Sequence, residues 1–342
     1  MCQGDFKDFV KLLKYLIVYM KFNWPIIGHQ KIVKFLQKSI ENNKISHAYL
    51  FYGPKNLGKK TVAKYFALSL ICQEENKPCL KCPTCQNFLK NLHPDVIWLR
   101  KEEGKKDISI DQIRDLKEKI SLTGFTNSYK IIIIVNAEEM NNSAANSFLK
   151  ILEEPPAKSL IILLANSLRG IPKTILSRCQ LLKFSLVNKE EIAKHLEKKY
   201  KISKREAEEI SAISLGYPGR AIKFIEKKEF FKNYLETQKK LIKIIEAELT
   251  DKLKIINQII EEEDIQTIIS NWKIIVRDIL LLKTKNDELV SNLTFKEKLK
   301  KIAEKMSLEK IYQIEKELDN LSWYLNQNIN LKLALDNFVI NI

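Results

Sequence analysis

One stretch constrains this chain more than any other: residues 47–61 read HAYLFYGPKNLGKKT, a short apolar run that breaks at glycine and restarts as a helix. Tyr49 to Tyr52 read as a buried strand, Gly53 and Gly58 permit a tight turn, and Lys59 opens a helix to about Ile71. A loop of this kind aims backbone N–H groups and a helix N-terminus at phosphate oxygens, and its lysine adds a point charge. The first seven positions of GxxxxGK[ST] are met. The eighth is Lys60, where a Ser or Thr hydroxyl would hold magnesium. Sliding the register to recruit Thr61 would take Gly53, Gly58 and Lys59 out of their roles, so the motif reads as a phosphate cradle that has lost a metal ligand.

The flanking sequence fits an α/β fold. A helix-period segment from Lys31 to about Asn42 precedes the loop. Asp95 to Leu99 read as a strand and Ile110 to Leu122 as an amphipathic helix. The run Ile131-Ile132-Ile133-Ile134-Val135 is five β-branched residues, the mark of a strand covered on both faces. In a hydrolysing P-loop enzyme such a strand ends in acids that hold magnesium and polarise water. Here the pair is Asn136 and Ala137, and Glu138 and Glu139 lie past the strand end. Asn141 or Asn142 caps a helix over 143–154 that Pro155-Pro156 stops, and further strands follow near 160–165 and 181–184. Strands alternating with helices of this length specify a parallel sheet with right-handed crossovers.

Four cysteines, Cys72, Cys79, Cys82 and Cys85, fall within fourteen residues as C-x6-C-x2-C-x2-C. Four thiolates so grouped, in a chain with no evident export signal, suit tetrahedral zinc better than disulfides, and an all-cysteine set leaves no open position for catalysis. The expected metal is structural zinc. The formal net charge of +16 raises the prospect of an anionic partner, but lysine is spread along the whole chain, so charge alone does not specify nucleic acid. No uninterrupted apolar run approaches the ~20 residues of a membrane span, and a cytoplasmic protein without membrane contact is expected. Residues 1–23 read as an N-terminal extension. Phe6, Phe9, Val10, Leu13, Ile17 and Met20 have the spacing of an amphipathic helix, while translation starting at Met20 is the other reading.

In combination, GPKNLGK, the spaced cysteines, the isoleucine-rich strand, FLKILEEPP and ILSRC resemble the AAA+ subunits of the bacterial clamp loader in the DNA polymerase III holoenzyme. The resemblance is close over roughly 24–226. It implies an α/β P-loop (AAA+) domain with a parallel sheet over 24–186, a small helical lid domain over 187–227 and an all-α collar domain for oligomerisation over 228–342. The gamma/tau and delta-prime subunits share the motif set, and Lys60, Asn136 and Ala137 point to the delta-prime kind, which does not hydrolyse ATP. The resemblance makes Arg178, in Ser177-Arg178-Cys179, an arginine finger acting on a neighbouring subunit, and puts Arg220 at the lid's sensor position. It implies gamma/tau and delta subunits as partners in a heteropentamer, with the sliding clamp and primed DNA.

Other readings stay open. Binding of ATP or ADP at Lys59 without magnesium and a vestigial loop are equally compatible with the residues. An active gamma/tau-type motor would need Glu138 or Glu139 to replace the missing acids. A zinc-dependent DNA-binding protein would read bases through the cysteine module, and a small-molecule kinase would need the metal chemistry that is missing.

Overall fold

The computed structural model describes residues 21–121, 129–260, 264–327 and 330–342. The helix expected over 5–20 lies outside them. The chain divides into two compact units between Val187 and Asn188.

The first unit is built on a sheet. In chain order its elements are β1 (Lys21–Phe22), α1 (Gln30–Glu41), β2 (Ala48–Tyr52), α2 (Lys59–Ile71), β3 (Asn76–Lys77), α3 (Pro83–Leu89), β4 (Val96–Leu99), α4 (Ile110–Ser121), β5 (Lys130–Val135), α5 (Asn142–Glu153), β6 (Ser159–Ala165), α6 (Lys173–Leu176) and β7 (Gln180–Lys183). Five strands form one parallel sheet in the order β4-β5-β6-β2-β7. The expected fold class is therefore present. Ile131 to Ile134 are fully buried, as a strand covered on both sides requires. Ile132 and Ile134 pack with Ile113, Leu116, Phe148 and Ile151 from α4 and α5, each such side chain contributing about 1.5–3 kcal/mol by leaving water.

Register decides where chemistry can occur. Tyr52 pairs with Ala165 and Val135 with Leu164, so β2, β6 and β5 end side by side. The residues just past those ends form one crevice, the usual ligand position in an open parallel sheet. The α5 helix is capped by Asn141, whose side chain accepts from the Ala144 N–H at 2.8 Å. Three short elements escape sequence periodicity: β1 pairs with β3 through two residues each, and α3 is only seven residues long.

The second unit, Asn188–Ile342, contains the segments expected as lid and collar. Its helices are α7 (Lys189–Tyr200), α8 (Lys204–Ile213), α9 (Pro218–Glu226), α10 (Lys228–Glu246), α11 (Leu249–Ile260), α12 (Ile265–Lys283), α13 (Lys296–Lys305), α14 (Leu308–Asn326) and α15 (Leu331–Asn341). Trp272 of α12 is its largest fully buried side chain; the ring stacks on Phe338 at 5.7 Å and the indole N–H donates to the Thr237 carbonyl at 2.9 Å.

Candidate functional site

The loop between β2 and α2 is shaped by its glycines. Gly53 has φ 142°, and a Cβ there would collide with the Phe184 carbonyl oxygen, so only glycine lets β2 and β7 run into the turn this closely. Gly58 precedes α2 with φ 90°. His29 steadies the loop from outside, its Nε2 donating to the Leu57 carbonyl at 3.0 Å.

Lys59 is 8% exposed and turns back into its own loop. Its ammonium donates to the Gly53 carbonyl, to the Pro54 carbonyl at 2.7 Å and to Asn166 Oδ1 at 3.4 Å. Burial lowers its pKa to about 8, against the opposing pull of Glu138. Lys60, one residue on, extends over the Trp98 ring of β4 with Nζ 5.3 Å from the centroid, and Trp98 in turn meets Phe88 of α3 edge to face. Thr61 is exposed.

Past β5, Asn136 takes a left-handed conformation, φ 56°, and a short 3-10 turn follows over Ala137–Glu139. Ala137 is buried and brings no polar atom. The turn carries Glu138 towards the end of β6, where its Oε1 accepts from the Asn166 backbone N–H at 2.9 Å and from Nδ2 at 2.7 Å. Glu138 Oε2 is enclosed without a hydrogen-bond partner among the described residues. Asn166 Nδ2 also approaches Asn136 Oδ1 at 3.4 Å, and Asn136 Nδ2 donates to Glu139 Oε1 at 3.1 Å. Lys59, Asn166, Glu138, Asn136 and Glu139 thus form one connected polar cluster at the strand ends.

Arg178 stands apart from that cluster. It follows α6 and donates from Nη2 to Glu153 Oε1 at 2.8 Å and from Nη1 to the Thr174 carbonyl at 3.0 Å. The two side chains are 37% and 48% exposed. Arg220, on α9, is tied into the second unit: Nη2 donates to Asn271 Oδ1 at 2.9 Å, and the guanidinium lies 5.4 and 5.3 Å from the rings of Phe224 and Tyr234.

The four cysteine sulfurs of Cys72, Cys79, Cys82 and Cys85 all lie within 4.8 Å of one another. Zinc–thiolate bonds of about 2.3 Å in a tetrahedron put sulfurs roughly 3.8 Å apart, and Cys79 Sγ to Cys85 Sγ is 4.0 Å. Backbone N–H groups of Cys79, Cys82 and Cys85 point at the sulfurs of Cys72, Cys79 and Cys82, at 3.3–3.4 Å. Such donors favour thiolate over thiol: those from Cys82 and Lys81 lower Cys79 to about 7, while burial pushes Cys72 and Cys85 up. The donor set fits a closed, four-sulfur metal site. Cys72 follows directly on α2, so the site is built on the far end of the helix that Lys59 begins.

Against known proteins, the sequence profile of a family described as DNA polymerase III, delta subunit, matches residues 28–188. The delta' subunit of Pseudomonas aeruginosa is 38% identical over 136 residues, 39% of this chain and 42% of that protein. The delta' subunit of Bacillus subtilis is 38% identical over 168 residues, 48% of this chain and 50% of that protein. Over residues 28–188 the chain is therefore similar to the AAA+ clamp-loader subunits of DNA polymerase III. A weaker likeness, 25% over 340 residues, extends along 91% of the chain to the Bacillus subtilis tau subunit, of which 60% is matched. The chain therefore spans about half the length of the curated relatives it matches.

Within the first unit the structure groups Gly53, Gly58, Lys59 and Asn136 around one crevice, while Lys60 points away to Trp98. Sequence reasoning overlooked Asn166 and set Glu138 outside the site. Asn166 carried a signal, being the first polar residue after a fully buried strand beside the P-loop strand. Glu138 carried none, because it reaches the crevice only through the left-handed turn at Asn136.

Proposed function

We propose that this chain is a non-hydrolysing, delta-prime-type clamp-loader subunit that presents Arg178 to ATP held by a neighbouring subunit, so that a sliding clamp is loaded on primed DNA during replication. The observation that supports this reading is the placement of three residues: Lys60 spans to Trp98, and Asn136 and Ala137 follow β5 where carboxylates would hold magnesium. A guanidinium delivered in trans stabilises charge growing on the transferred phosphoryl group and is worth about 10³–10⁵ in rate. Partners under this reading are gamma/tau and delta subunits in a heteropentamer. The Cys72, Cys79, Cys82 and Cys85 site holds structural zinc, which fixes the far end of α2. Residues 187–227 act as lid and 228–342 as collar.

The test is ATP hydrolysis with clamp and primed DNA, comparing the isolated chain, the assembled loader and the loader carrying Arg178→Ala. A silent isolated chain, with turnover lost on substitution, is expected. Turnover by the isolated chain would overturn the proposal. One observation favours a second reading, a gamma/tau-type motor: Glu138 does reach the crevice, where a displaced acid could act. Magnesium-dependent hydrolysis abolished by Glu138→Gln would establish it.

A further inference from the structure

The Glu138–Asn166–Lys59 cluster has a property that neither a working ATPase nor a vestigial loop requires. Glu138 has one oxygen saturated by two Asn166 donors and the other enclosed with no hydrogen bond among the described residues. Enclosing a carboxylate oxygen unpaired is unfavourable unless a positive charge compensates it. Lys59 supplies such a charge and shares Asn166 with it: the ammonium is 3.4 Å from Asn166 Oδ1 while Asn166 Nδ2 is 2.7 Å from Glu138. The attraction is felt at Lys59, where Glu138 opposes the loss of the proton that burial promotes.

A nucleotide phosphate would need that same ammonium. It would have to take Lys59 from the Gly53 and Pro54 carbonyls and then sit near a fixed carboxylate. In an intact P-loop, magnesium stands between acid and phosphate and turns repulsion into shared coordination. Here Lys60 lies over Trp98, and Asn136 gives both its side-chain groups to Glu139 and Asn166. Nothing in the described crevice provides the usual hydroxyl and strand-end carboxylate that would hold such an ion.

We propose that Glu138 is a built-in counter-charge to Lys59 that occupies the electrostatic place of a nucleotide phosphate and keeps this P-loop closed to nucleotide. The inference rests on the reading of residues 53–61 as a nucleotide cradle without a metal site. Its consequence is specific: neutralising one carboxylate opens a nucleotide site that the present chain excludes.

The experiment titrates the full chain with ADP by calorimetry at pH 6.5, first in EDTA and then with magnesium, alongside thermal unfolding of every variant. Glu138→Gln and Glu138→Ala are expected to bind ADP at least tenfold more tightly than the starting chain, with no further gain from magnesium. Glu138→Asp keeps the charge and is expected to behave as the starting chain does, and adding Lys59→Ala to Glu138→Gln is expected to abolish the gained binding. Equal affinity, or no binding by any folded variant, overturns the inference. Weaker binding by Glu138→Gln that depends on magnesium also overturns it and makes Glu138 a metal-holding acid. ATP turnover by the isolated starting chain is a separate failure, that of the non-hydrolysing reading, and is recorded in the same samples.

Discussion

Lys59 and Arg178 are the two cations on which a phosphate-centred function could rest, and the fold treats them in opposite ways. Lys59 is enclosed, bound to three oxygens of its own domain and lowered to about 8. Arg178 is 37% exposed and donates to the Thr174 carbonyl and to the carboxylate of Glu153, itself 48% exposed. A guanidinium keeps its charge in either setting, whereas burial weakens the hold of the Lys59 ammonium on its proton. An exposed ion pair is worth only about 0–1 kcal/mol, so an incoming phosphate can replace Glu153 at little cost. The same phosphate would have to dislodge Lys59 from a saturated, desolvated position. Burial has committed one cation to the interior of the first unit, and exposure has left the other accessible.

The largest expected effect tests that contrast directly. In an assembled loader, Arg178→Ala is expected to lower ATP turnover by about 10³–10⁵, while Lys59→Ala leaves it within about twofold. Steady-state hydrolysis with clamp and primed DNA separates the two, and equal losses would break the comparison. Metal removal comes next. Because the cysteine site closes on the end of the Lys59 helix, Cys82→Ser or a chelator is expected to destabilise the first unit by more than about 4 kcal/mol, the exceptional range that loss of a structural metal reaches. Denaturant unfolding measures it, with recovery on added zinc for the chelated protein alone; unchanged unfolding would show that the sulfurs hold nothing.

Arg220 sharpens the comparison because it is an arginine treated like Lys59. It donates to Asn271 and lies against Phe224 and Tyr234. Truncating a part-buried, charge-assisted hydrogen bond costs about 1.5–3 kcal/mol, and Arg220→Ala is expected to lower the stability of the second unit by that amount. Urea unfolding checks it. A stability loss under about 0.5 kcal/mol, the range of an ordinary surface change, would mean that burial does not commit this arginine.

The parts of the molecule legible in the sequence are those fixed by local chemistry. Ile131 to Val135 announce a doubly covered strand, Gly53 and Gly58 a turn, Pro155-Pro156 a helix stop, and the cysteine spacing a ligand set that the fold does gather. Contacts between separate strand ends were not legible. Asn166 and Glu138 are 28 residues apart, and Arg178 and Glu153 are 25. No periodicity spans such distances. The left-handed step at Asn136 decides the direction of Glu138, and a single residue's φ leaves no pattern to read. Lys60 is the mixed case: its identity announced a missing metal ligand, but its seat over Trp98 required the register of β4 beside β5.

The smallest effect probes the exposed half alone. Glu153 is joined to Arg178 at 2.8 Å, yet both ends meet solvent, so Glu153→Gln is expected to change folding stability by less than about 1 kcal/mol. If Glu153 competes with a neighbour's phosphate for the guanidinium, its neutralisation leaves Arg178 freer to engage, and turnover of the assembled loader is expected to rise by up to about fivefold, the kinetic equivalent of that same 1 kcal/mol. Breaking a buried pair would instead cost about 3–5 kcal/mol. A stability loss of that size on Glu153→Gln would place Arg178 in the same class as Lys59 and remove the distinction between a cation kept inside and one held ready for a partner.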